Sequence, residues 1–447
     1  MNLEIAPIEL LQGYIRCNPL LLIIDFIFIV FFLYSWHKSY KTTGFKIDIW
    51  HIVLFRFIVV PVFLIYPTIG SIFQQRSIGL DAILRTSQYT DYAFLLSLLG
   101  FTSMLVGRYI YNHSKSNGKI DSIFYPLQKI IQNNIRSKNT YLTLILLSFS
   151  ILLVVTSIVL TNGQHVMNPR SYFQNNGALR PLYNICIVVY PLTITVAGLR
   201  LIEKNSNKMI EQIMFGLIIL FSIFLGTRSA ILDPIFYLIV LYYMKNNRKI
   251  SYIKLFFIGL SILLTTSVLL FLRSNKQSFN FGVLDFFYGN TFSDTRDFAH
   301  VMAYWDKELL LGKSYLAGII SFIPRFISEY REQWALGVYT AKTVGHDPAY
   351  HPGLRPGIFG ESYFNFGIPG VIFLGLTMGF FLRHIDYSVK QIMKEEKDSI
   401  KSYSYIFIWA LISCLSISVG FSFFYFSLIL LFSLAFIRQV FFRLHKK

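Results

Sequence analysis

The segment from Tyr141 to Thr161 runs 21 residues without one charged side chain. As a helix it reaches roughly 30 Å, the thickness of the hydrocarbon core of a bilayer. Few folds accept such a run. A buried helix of a soluble protein would show polar positions at a helical offset, and a membrane strand would alternate apolar and polar residues. Neither pattern is present. Across all 447 residues, 54% are hydrophobic and 14% charged, which is too little charge to cover a soluble domain of that length.

Further apolar stretches predict about eleven transmembrane helices, near residues 19–36, 49–73, 90–111, 140–161, 181–201, 209–226, 229–244, 252–272, 363–384, 402–419 and 421–441. The last two are one continuous apolar stretch, divided at Val419-Gly420-Phe421 because a single helix would far exceed the bilayer. The pair over 209–244 divides at Gly226-Thr227-Arg228-Ser229 for the same reason. Basic residues gather in alternate loops, for example Lys38, Lys41 and Lys46, then Arg108 to Lys138, Arg200 to Lys208, Lys245 to Lys254, Arg383 to Lys401, and the C-terminal Arg438 to Lys447. The positive-inside rule makes those loops cytoplasmic, with the N-terminus outside and the C-terminus inside. The net charge of +18 is then a topology signal facing anionic lipid, and nucleic acid is not expected as a partner. No cleaved signal peptide is expected, and Cys17, Cys186 and Cys414 offer neither a disulfide framework nor zinc spacing.

These boundaries predict an all-α, polytopic helical bundle: eight spans over 1–272, one large extracytoplasmic loop over 273–362, and three spans over 363–447. The loop balances nine basic against nine acidic residues and is too apolar for a solvated linker. Tyr315 to Ile327, broken by Pro324, reads as an interfacial or re-entrant helix. Within the spans, Asp25 and Arg56 are expected to pair. Aromatic rings in the loop suit sugar faces, and its arginines suit phosphates or hydroxyls. A loop that merely caps the bundle has the same composition.

The loop ends in Arg355-Pro356-Gly357-Ile358-Phe359-Gly360-Glu361-Ser362-Tyr363-Phe364-Asn365-Phe366-Gly367-Ile368-Pro369-Gly370, followed by Gly375 and Gly379 on a face that permits close helix packing. This element resembles the GE-x-Y-x-NFG-x-x-G signature of the Wzy class of O-antigen and capsular oligosaccharide repeat-unit polymerases. Gly226-Thr227-Arg228-Ser229 resembles the outward G-[ST]-R element of that class, and Ile323-Pro324-Arg325 its I-P-R segment. The resemblance covers roughly residues 220–380.

The resemblance implies a GT-C-like bundle in the bacterial cytoplasmic (inner) membrane. Its activity would be transfer of a growing glycan from undecaprenyl diphosphate to the sugar of an incoming lipid-linked repeat unit. It implies no cofactor and no metal. The partners it implies are the lipid-linked oligosaccharide as donor and acceptor, the bilayer, and a chain-length regulator protein. Diphosphate departs readily, so the chemistry needs cations more than a strong acid. Arg228 and Arg296 are the catalytic candidates, with Arg325, Arg355, Arg170 and Arg180 to bind phosphate or sugar. Each has a plain alternative: headgroup anchoring or an Asp233 pair for Arg228, interfacial anchoring for Arg325, and a salt bridge to Asp294 or Asp297 for Arg296. Glu361 is the expected base, ahead of Asp297, His351 and His346, although a carboxylate there can also cap the helix. Tyr363, Asn365 and His351 complete the expected binding set. A ligase transferring glycan to another acceptor shares this plan. A flippase would show inverted repeats and several broken helices with charges near mid-membrane, whereas no internal repeat is seen here and polar residues collect outside the spans.

Overall fold

A computed structural model describes residues 18–68, 80–114, 117–162, 172–173, 180–203, 208–224, 228–246, 294–325, 327–348 and 353–444. The described residues are mostly helical and include no strand. In chain order the helices are α1 (Pro19–Thr43), α2 (Ile49–Leu54), which continues as a π-helix over Phe55–Leu64, α3 (Leu80–His113), α4 (Asn117–Arg136), α5 (Lys138–Thr161), α6 (Arg180–Glu203), α7 (Lys208–Phe224) and α8 (Arg228–Asn246). Four short helices follow, α9 (Asp294–Tyr304), α10 (Lys313–Ile319), α11 (Glu329–Trp334) and α12 (Leu336–Thr343), then α13 (Gly357–Glu395), α14 (Ser399–Ser413) and α15 (Gly420–Leu444).

Six helices among the described residues are long and apolar enough to cross a membrane: Pro19–Thr43, Leu84–His113, Lys138–Thr161, Ile185–Glu203, Gly357–Glu395 and Gly420–Ile437. The stretches Ile49–Leu64 and Met209–Leu220 are shorter apolar helices. The span expected over 252–272 lies outside the described residues. The break expected at Val419–Phe421 is wider than a tight turn: α14 stops at Ser413, and six residues intervene before α15. Tyr315 to Ile327 does not form one interfacial helix. α10 ends at Ile319 and the chain turns through Pro324 to Ser328, whose hydroxyl caps α11 by accepting from Arg331 N–H.

The chain divides into two compact units. The first comprises Met1–Lys115, Gly282–Asp386 and Trp409–Ser422. Its α1 starts where Asn18 accepts from the Leu20 N–H and ends at Gly44, whose left-handed φ of 80° lets its N–H reach the Tyr40 carbonyl. Asp48 then caps α2, also accepting from the His51 ring and the Ser39 hydroxyl, each at 2.8 Å. The expected Asp25–Arg56 pair does not form. Asp25 is buried with Oδ1 unpaired, and the Arg56 guanidinium lies 4.9 Å from the centre of the Phe57 ring.

The seam between α3 and α13 is built on glycine. A Cβ on Gly375 would sit 2.5 Å from the Gly100 carbonyl oxygen, one on Gly379 2.0 Å from that of Met104, and one on Gly107 2.2 Å from that of Leu376. Gly375 and Gly379 therefore serve the close helix contact expected of them, whereas Gly370 fits against the Ser362 carbonyl of its own helix. That last contact follows from a break inside α13, where Gly367 adopts φ 64° and ψ −152°, a conformation open essentially to glycine alone.

The second unit comprises Ser116–Phe281, Tyr387–Ile408 and Phe423–Lys447. Buried hydroxyls join its helices: Ser148 meets Thr193 at 2.8 Å, and Tyr190 donates to the Ser148 carbonyl. A cavity of about 390 Å³ is lined by Arg136, Arg200, Glu203, Glu211 and Asp398. These charges engage other side chains, through Arg136–Asp398, Arg200–Glu211 and Lys245–Glu203.

The glycine seam yields a direct stability prediction. Gly379→Ala places a methyl group into backbone, and overpacking of this kind costs typically about 1–3 kcal/mol. Gly216→Ala, in α7 with open space around it, should be neutral or mildly stabilising. Thermal unfolding in detergent should show a lower midpoint for G379A only; equal midpoints would refute the seam.

Candidate functional site

Charged residues of the first unit converge at the start of α9, which opens Asp294-Thr295-Arg296-Asp297. Thr295 anchors this turn by donating to the Pro61 carbonyl at 2.9 Å. Arg296 is 2% exposed, and its Nε and Nη2 both donate to Asp297 Oδ1, at 2.9 and 2.5 Å. Its Nη1 is buried with no hydrogen-bond partner among the described residues. Burying a guanidinium is costly unless its donors are met, so an unmet N–H here is a place for an acceptor oxygen. Asp294 is partly exposed and makes no hydrogen bond or ion pair with the described residues. Desolvation by the protein packed round it, then the like charge of Asp297, push its carboxyl up to about 7, while the Arg355 and Arg296 guanidinium groups hold it back.

Arg355 reaches this cluster from the segment before α13 and is itself exposed. That segment is pinned. The Thr340 hydroxyl of α12 accepts from Leu354 N–H at 2.9 Å and donates to the Leu354 carbonyl at 3.0 Å. Gly353 has φ 90° and touches Gly337, where a Cβ would lie 2.0 Å from the carbonyl oxygen. Gly357, at φ 72°, brings the start of α13 against Asp294, whose Cβ is 3.2 Å from where a Gly357 Cβ would stand. Aromatic side chains flank this region. Trp305 and Tyr363 pack edge-on at 5.5 Å, and Tyr363 donates to the Tyr92 hydroxyl at 3.2 Å. With Tyr89, Trp334 and Tyr339 they are partly buried around a core of Phe298, Met302, Leu310 and Phe364.

Further along α13, Glu361 is fully buried with both carboxylate oxygens occupied. Ser314 Oγ donates to Oε1 and Ser418 N–H to Oε2, each at 2.6 Å. Asn365, also fully buried, completes the bracket. Its Nδ2 donates to Ser314 Oγ and to the Glu361 carbonyl, each at 2.8 Å, and its Oδ1 accepts from Gly312 N–H at 2.9 Å. The α13 backbone adds two further bonds, from Leu310 N–H to the Phe364 carbonyl and from Leu311 N–H to the Asn365 carbonyl.

The structure thus brings Arg296, Asp297 and Arg355 together, and places Glu361 and Asn365 in a sealed network beside α10. Tyr363 belongs to the aromatic group. Arg325 is exposed on the turn after Pro324 and faces Arg331, whose pKa is lowered by burial and by the Arg325 charge. Arg180 and Arg228 are the first residues of α6 and α8, in the second unit. Arg170 and His351 lie outside the described residues. His346 is described, its N–H bonded to the Ala341 carbonyl, and among the described residues no His, Cys, Asp and Glu group has the geometry of a metal site. Asp294, read from the sequence only as a salt-bridge partner of Arg296, was missed as a member of the site. The signal for it was the D-T-R-D run itself, two acids bracketing an arginine.

Removing Glu361 strands the Ser314 hydroxyl and the Ser418 N–H in the interior, at roughly 1–3 kcal/mol for each. Glu361→Ala should lower the thermal midpoint sharply, with Glu361→Gln intermediate because its amide meets Ser418 N–H or Ser314 Oγ as an acceptor, but not both. An E361Q protein with an unchanged midpoint would show that the network holds nothing together.

No family model, curated protein or solved structure matches this chain.

Proposed function

We propose that this chain is a membrane glycosyltransferase that joins undecaprenyl-diphosphate-linked oligosaccharide repeat units into O-antigen or capsular polysaccharide. It would work on the outer face of the bacterial cytoplasmic membrane, with about eleven spans, the N-terminus outside, and residues 273–362 as its extracytoplasmic loop. The motif resemblance over Arg355 to Gly370 names the class. The observation that carries the chemistry is the pairing of a buried guanidinium on Arg296, whose Nη1 has no hydrogen-bond partner among the described residues, with an exposed guanidinium on Arg355, about the Asp294 carboxyl.

In this reading Arg296 and Arg355 bind the diphosphate. Guanidinium stays charged at any working pH and grips phosphate oxygens in a fork. As the bond from the anomeric carbon to the phosphate oxygen breaks, charge grows on that oxygen, and fixed cations there lower the barrier. The rings of Tyr363, Trp305 and Tyr92 offer faces and hydroxyls to the sugars. Glu361 and Asn365 act by holding α10 and the turn at Ser418 on α13, so they position the site instead of touching substrate.

The test is surface-glycan electrophoresis in a deletion strain complemented with variants. Arg355→Ala should cut chain extension by roughly 10²-fold, the usual effect of losing one stabilising donor. Arg296→Lys keeps the charge but loses the fork, and should leave single capped repeat units with a faint ladder. A complete absence of surface glycan, capped units included, would favour a flippase or ligase instead.

A further inference from the structure

We propose that Asp294 is the carboxylate that takes the proton from the attacking sugar hydroxyl, a role that rests on the glycosyl-transfer reading above. Among the described residues, α9 and the first turns of α13 carry three carboxylates, Asp294, Asp297 and Glu361, and they are committed differently. Glu361 has no exposure and both oxygens filled. Asp297 is 6% exposed, and its Oδ1 carries two donors from Arg296. Asp294 alone of the three is partly exposed and makes no hydrogen bond or ion pair with the described residues. It stands at the first turn of α9 with its Cβ against Gly357, within electrostatic reach of the two cations assigned to the diphosphate. A base must first be within reach of the proton it removes and must then have an affinity for it near the working pH. The raised carboxyl of Asp294, at about 7, meets the second requirement.

The step balances without a further reactant. The acceptor hydroxyl oxygen forms a bond to the anomeric carbon of the donor glycan. The bond from that carbon to the diphosphate oxygen breaks, and its electron pair leaves with the polyprenyl diphosphate. The hydroxyl proton passes to the Asp294 carboxylate and from there to water. Arg296 and Arg355 hold the departing anion, so a proton acceptor and a charge acceptor stand side by side.

Among the described residues, ionisable groups stand on α9 and on the elements packed against it. On α9 they are Arg296, Asp297 and His300, the last bonded to the Thr86 hydroxyl at 2.8 Å. From the segment before α13 comes Arg355. On α3, Arg85 lies over the Tyr304 ring and Tyr89 packs on the core. On the π-helix, Arg56 lies against Phe57, and on α12 Lys342 is exposed.

The experiment follows extension of purified lipid-linked repeat units by the full chain in detergent, from pH 5 to 9. Wild type should lose rate as pH falls through about 7, because the base must be ionised. Asp294→Asn should lose roughly 10²-fold or more in rate, with KM for the lipid-linked substrate little changed, and Asp294→Glu should restore part of it. A second readout separates this from misfolding. The folded-state pKa is raised, so ionising Asp294 costs stability as pH rises towards and through about 7. D294N should therefore melt higher than wild type at pH 8, with the gap narrowing towards pH 5. A D294N rate close to wild type, or a wild-type profile with no acid limb, overturns the assignment while leaving the polymerase reading intact. A wild-type protein that extends nothing overturns both.

Discussion

A carboxylate shut away from water must have both oxygens met by donors, and in the first unit that requirement ties distant parts of the chain together. Glu361 on α13 takes the Ser314 hydroxyl from α10 and the Ser418 N–H from the segment between α14 and α15. Burying an unmatched carboxylate would be expensive, so each donor is bound to its place as firmly as the charge needs it. Asn365, one turn along, repeats the demand with Gly312 and Ser314. The break at Gly367 lets the same helix turn away immediately afterwards. The signature from Gly360 to Gly370 is thus a set of fastenings.

At the start of α9 the charges are arranged in the opposite sense. Among the described residues, Arg296 spends Nε and Nη2 on Asp297 and leaves Nη1 unmet, Asp294 makes no hydrogen bond or ion pair, and Arg355 is exposed. Full satisfaction in the bracket and partial satisfaction in the charged cluster is the division expected of a scaffold that holds a site in readiness, because fixed dipoles that need no rearrangement stabilise a developing charge best.

The six described helices long and apolar enough to cross a membrane were legible because each depends on its own run of residues, as Tyr141 to Thr161 shows. The glycine seam was legible in part: Gly375 and Gly379 could be read as a packing face, but Gly100 and Met104, their partners on α3, could not be matched to them. Glu361 was expected to be a base because it stands at a helix mouth. Its burial depends on Ser314 and Ser418, 47 and 57 residues away, and no local pattern reports such partners. The Asp25–Arg56 pair failed for a similar reason. Two opposite charges on successive helices need not share a face, and Arg56 lies over an aromatic ring instead. Arg296 and Asp297 were legible as a salt bridge because neighbours in sequence need no tertiary knowledge to meet.

The Thr340 clamp on Leu354 has one more consequence. By gripping both the N–H and the carbonyl of Leu354, a single hydroxyl holds the backbone of the residue before Arg355 against α12. Loss of that hydroxyl would free two backbone groups at once, so a change on α12 would reach the segment that carries the Arg355 guanidinium without altering any charge.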